Sequence, residues 1–173
     1  MGEKTFLVRL ADRIDALIDR VGGAAAWLIL LVVALLFWQI PMREFVHYGH
    51  REVNDMGQLA HATVFMIGVA YAMRWDEHVR VDILYHRMST RGRALVDLAG
   101  TVFLILPWLF IVTRDSIPVV LRSWANLEEF DDTYTPGYFI FKTQLLVFAV
   151  LVILQVVAKI LRNLVVLRDG DRA

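Results

Sequence analysis

Four apolar stretches, Ala24–Met42, Gln58–Met73, Ala94–Val112 and Tyr138–Ala158, occupy most of this 173-residue chain. With its flanking turns, each is long enough to cross a hydrocarbon core that needs about 20 helical residues. Only short polar segments separate them, which leaves little room for a soluble domain. The expected fold is an all-α integral membrane protein with four transmembrane helices. Residues 1–173 then form one membrane domain, with spans near 22–43, 56–75, 93–114 and 136–161.

Composition removes several chemistries. There is no cysteine, so thiolate metal sites, disulfide exchange and cysteine nucleophiles are excluded, and with them the four-helix membrane thiol oxidoreductases. The basic residues are scattered around apolar spans rather than gathered in a patch, so no nucleic-acid partner is expected. Before the first span stand Gly22-Gly23-Ala24-Ala25-Ala26, whereas a signal peptide places its small residues after a short apolar core. That first run is also too long for a signal core, so the N-terminus is expected to be retained.

Formal charge sums to zero, 18 basic against 18 acidic residues, but its distribution is uneven. If both termini and the second connection face the cytoplasm, thirteen Lys and Arg lie inside. Only Arg43, Arg51, Arg114, Arg122 and Lys142 lie outside. In short loops this bias orients the chain, so both termini are placed in the cytoplasm. On the outer side Glu128-Glu129-Phe130-Asp131-Asp132 sets four carboxylates within five residues. It lacks the spaced ligands and turn glycine of a calcium loop and reads as a solvated loop facing a partner.

Residues 4–21 carry an amphipathic pattern. Phe6, Leu7, Leu10, Ile14, Leu17, Ile18 and Val21 recur at three- and four-residue spacing, and Lys4, Arg9, Asp12, Arg13, Asp15 and Asp19 fill the other face. Such a helix suits the lipid boundary or another helix, with the membrane surface favoured. The first span is expected to end near Trp38, Gln39 and Pro41. Gly22–Ala26 on it, with Gly68 and Ala72 on the second, allow close helix approach. Trp38, Trp75 and Trp124 fit interface anchors, while Trp108 fits packing. A short interfacial helix is expected between spans two and three, where Val81, Leu84, Tyr85 and Met88 share a face. Ser89 or Thr90 then caps the third span. Pro107 should kink that span, and Pro136-Gly137 should turn the chain into the fourth.

No Asp, Glu, Lys or Arg is central in any span, although transport or catalysis in a membrane calls for such groups. Gln39, Gln144 and Gln155 are the main intramembrane amides and read as interhelical hydrogen bonders without charged neighbours. A proton-coupled exporter would need a membrane carboxylate. A haem subunit would need facing histidines, yet His61 is the only histidine within a span. No catalytic, cofactor-binding or metal site is expected, and the chain reads as a non-enzymatic helical scaffold for a larger partner. A membrane anchor of a redox enzyme is the alternative.

The segment His78-Val79-Arg80-Val81-Asp82-Ile83-Leu84-Tyr85, then Ser89 through Gly100, resembles the small DctQ-like membrane subunit of TRAP transporters. Phe103 through Pro107, Ser123-Trp124, Lys142 and Leu154-Gln155 extend the likeness over residues 20–165, nearest to the mannitol/chloroaromatic-type branch. Where that branch tends to show Glu-x-Ser before the last span, Glu129-Phe130-Asp131-Asp132 stands here. The resemblance implies a tripartite sodium-coupled system for organic-acid-type solutes. A periplasmic substrate-binding protein would deliver solute to a large DctM-like membrane subunit holding the substrate and sodium sites. This chain, bedded in membrane lipid and without cofactor, would hold that subunit steady. Arg74, Glu77, His78, Arg80 and Asp82 form a candidate structural motif at the corner between spans two and three. There Asp82 or Glu77 would take Arg74 or a basic group of the partner.

Overall fold

A computed structural model describes residues 2–46, 51–75, 88–131 and 133–169. Helix α1 is Gly2–Val46, α2 is Arg51–Arg74 and α3 is Thr90–Gly100. A π-helical turn, Thr101–Ile105, joins α3 to α4, Leu106–Ala125, and α5 is Tyr138–Asp169. Four segments are long and apolar enough to cross a membrane: Phe6–Val46, Arg51–Arg74, Thr90–Ala125 and Tyr138–Arg168. Among the described residues there is no strand, only an isolated bridge between Glu129 and Pro136. Helices satisfy their own backbone groups where lipid offers no partner, so the all-α architecture follows from the apolar lengths.

Helix α5 is the central post. It packs on α1, α2, α3 and α4, whereas the α3–α4 segment has no comparable contact with α1 or α2. The core repeats that asymmetry. Phe148, Ala149, Leu151, Val152, Val156 and Ala158 of α5 meet Ala11, Ile14 and Ile18 of α1, Ala70 of α2 and Leu109 of α4. The outer sides of α1 and α4 stay open: Trp27, Phe37 and Phe45 on one, Phe110, Ile111 and Leu121 on the other are all largely exposed. In a bilayer such surfaces meet lipid or another membrane chain.

The amphipathic segment is not a separate helix. It runs unbroken into the first span as a single helix of 45 residues. Gly22 stays helical because α2 lies against it: an added Cβ would stand 2.8 Å from Tyr71 Cγ and 3.1 Å from Tyr71 Cβ. Here glycine serves close approach rather than a break. Nor does Pro41 end the span, which continues to Val46. A proline removes one intrahelical bond, and a helix can carry that loss.

The disturbance expected at Pro107 takes a definite form one turn upstream. The Leu106 N–H donates to Thr101 O, a five-residue step, and the Thr101 hydroxyl donates to Asp97 O at 2.7 Å. Widening this turn accommodates a residue that lacks an N–H and crowds the carbonyl of Phe103. Ser89 caps α3 by accepting from Gly92 N at 3.2 Å. Gly137, at φ 153°, turns the chain into α5. The interfacial helix expected around Val81–Met88 falls largely at residues 76–87, outside the described residues.

Candidate functional site

Charge in the bundle converges on one carboxylate. Asp15 of α1 is 2% exposed. Its Oδ1 accepts from Gln155 Nε2 of α5 at 3.1 Å and lies 3.4 Å from Arg74 Nε of α2. Its Oδ2 meets the guanidinium of Arg162, which also reaches Asp12 at 3.0 Å. Arg74 extends to Asp19 at 3.8 Å. Three helices are thus tied through a single buried side chain, at the end of the bundle that carries both termini.

The local sequence explains how Asp15 comes to be there. Ala11, Ile14, Ile18 and Ala25 recur at helical spacing and are buried, and Asp15 falls on that same face. A carboxylate taken from water costs several kcal/mol unless charged and hydrogen-bonded partners surround it. Two guanidiniums and an amide supply that here. Asp15 therefore does not belong to the solvated polar face proposed from the periodicity. Gln155 likewise has a charged neighbour, contrary to the expectation that the intramembrane amides have none.

Of the five residues of the corner motif, Arg74 alone is described; Glu77, His78, Arg80 and Asp82 lie outside the described residues. Arg74 turns toward α1, to Asp15 and Asp19, and its guanidinium also stands 5.1 Å above the Trp75 ring. The other amides behave differently from Gln155. Gln144 of α5 donates to Leu59 O at 3.0 Å and to Thr63 Oγ1 at 2.6 Å, pinning α5 to α2. Gln39 faces an apolar groove of about 190 Å³ between α1 and α2, which His61 also lines.

The opposite end is closed by a hairpin. Lys142 Nζ donates to both oxygens of Glu128 at 2.7 and 2.6 Å and sits 4.9 Å from the Tyr138 ring centre. The hydrogen-bonded Lys142 ammonium holds the Glu128 carboxyl below its usual range. Thr133 Oγ1 donates to buried Asp55 at 2.6 Å, fastening the hairpin to α2, and Trp124 Nε1 donates to Thr143 Oγ1 at 2.8 Å. Glu129 and Asp131 are left exposed. Among the described residues no three His, Asp or Glu converge as a metal-ligand set.

Chemically, both ends are fastenings. They fix helix against helix and loop against helix, and among the described residues neither presents a nucleophile with a base or an enclosed polar chamber. No curated protein and no solved structure matches the chain. A family model for the DctQ component of tripartite ATP-independent periplasmic transporters matches residues 32–166, from the middle of α1 almost to the end of α5. With four membrane-crossing helices tied at both ends, the chain belongs to the DctQ family and is a small, multi-pass membrane component of such a transporter.

Proposed function

We propose that this chain is a brace: it holds a large DctM-like subunit steady in the cytoplasmic membrane while that subunit transports. The observation that carries this reading is the use made of polar groups. Asp15, Arg74, Arg162, Gln144 and Gln155 are engaged in joining the chain's own helices, while broad apolar surfaces on α1 and α4 stay uncovered. A rigid body with apolar flanks suits a static partner better than a moving solute pathway. Sodium and an organic-acid-type solute, delivered by a periplasmic binding protein, would bind on the large subunit, and this chain would need no cofactor. The DctQ family match supports that assignment, and the chain's resemblance within the family is nearest to the mannitol/chloroaromatic-type branch, from which Glu129–Asp132 departs.

The test is reconstitution. Vesicles holding this chain alone should show no sodium-driven uptake of organic acids. Vesicles holding it with its large subunit and binding protein should show uptake that requires all three. Uptake by the isolated chain would overturn the brace.

A further inference from the structure

The N-terminal part of α1 sorts its charges by side. Asp12, Asp15 and Asp19 turn toward the arginines of α2 and α5, and each of them is paired. Arg9, Arg13 and Arg20 lie on another strip, exposed, and have no carboxylate partner among the described residues. Phe6, Leu10 and Leu17 are exposed beside them. Each arginine follows one of these apolar residues by three positions, which puts it on the adjoining strip of the helix. Asp12 and Asp19 follow Leu10 and Leu17 by two, about 200° away, on the far side. Phe6, Arg9, Leu10 and Arg13 together line an open cleft of about 300 Å³.

Length decides where this strip lies. At 45 residues, α1 is about 67 Å long, whereas a bilayer with its headgroups is about 40–45 Å thick. The helix therefore overruns the membrane unless it leans. Upright, it would hold Phe6, Leu10 and Leu17 in water. Leaning onto the leaflet covers them and brings the three arginines to phosphate level, with the paired aspartates turned away.

We propose that this segment binds anionic phospholipid headgroups, with Arg9, Arg13 and Arg20 on the phosphates and Phe6, Leu10 and Leu17 among the upper acyl carbons. The family match begins at residue 32, so the strip is a feature of this chain outside the matched region. It stands independently of the brace reading.

Native mass spectrometry of the full chain in mild detergent tests it, titrating phosphatidylglycerol against phosphatidylcholine of the same acyl chains. An arginine at an anionic surface is worth about fivefold in affinity, so the three together are worth about a hundredfold. The wild-type chain should prefer phosphatidylglycerol. Arg9→Gln, Arg13→Gln and Arg20→Gln combined should remove the preference, and the corresponding Lys triple variant should keep most of it. Because these side chains are exposed and unpaired, the Gln variant should melt like the wild type. Equal phosphatidylglycerol binding by wild type and the Gln variant would overturn the proposal. So would displacement by inorganic phosphate, which would mark a free-anion site. Unchanged lipid binding with loss of the copurified large subunit would also overturn it, by assigning the strip to a protein.

Discussion

At the scale of single residues, Asp15 dominates the outcome. Its partners are unequally exposed: Arg74 and Arg162 side chains are 22% and 41% accessible, so both can be hydrated if the carboxylate is lost. Asp15→Ala should therefore cost less than the 3–5 kcal/mol typical of breaking a fully buried pair, about 1–3 kcal/mol. Arg162→Gln should cost less than Asp15→Ala, since Asp15 would keep Arg74 and Gln155. Thermal melts of the purified chain check the ranking, and Asp15→Ala milder than Arg162→Gln would refute the central role of the carboxylate. Burial of Asp15 was half legible in the sequence, because it shares the spacing of Ala11, Ile14 and Ile18. The other half was not: Arg74 and Gln155 are 59 and 140 positions away, and no local pattern reveals a partner at that separation.

At the scale of elements, the hairpin between α4 and α5 carries a tie that depends on pH. Glu128 is held below its usual range by Lys142, so the tie is fully present above the ordinary carboxylate range and is lost as pH falls through the depressed value. Hydrogen exchange of the hairpin amides, such as Phe130 and Tyr138, should stay slow from neutral pH down and quicken only in strong acid. Glu128→Gln should make exchange faster at neutral pH and remove the acid transition; an unchanged acid transition would remove Glu128 from the explanation. The elements themselves were readable where chemistry is local. Ser89 as a cap, Pro136-Gly137 as a turn and Pro107 as a disturbance each act within one turn of the chain. The union of the amphipathic segment with the first span was not readable. Gly22-Gly23 looks like a break in isolation, whereas Gly22 is where the Tyr71 ring presses on α1 from α2.

At the scale of the whole molecule, both termini lie at the end of the bundle marked by Asp15, Arg74 and Arg162, and the hairpin at the other. From the charge distribution we propose that the first end faces the cytoplasm. A reporter fused after Ala173 should then behave as cytoplasmic and one inserted near Asp131 as periplasmic. The reverse pattern would overturn the orientation. That four helices cross was plain from apolar length alone. Which of them would be central was not, since the first, third and fourth runs are similarly apolar and only the contacts single out α5.

The central place of α5 has a consequence in time as well as in space. A chain is made from its N-terminus, so the helix that the other described helices pack on is made after all of them. Until then α1 and α2 can pair, but Thr90–Ala125 lacks the one helix of this chain it packs on strongly and Asp15 lacks both Arg162 and Gln155. Biogenesis of this protein therefore includes an interval in which a half-satisfied carboxylate and an unattached span wait for a single late arrival. Cutting the chain before Tyr138 should then leave Thr90–Ala125 unattached to the α1–α2 pair, which crosslinking of the truncated chain would check.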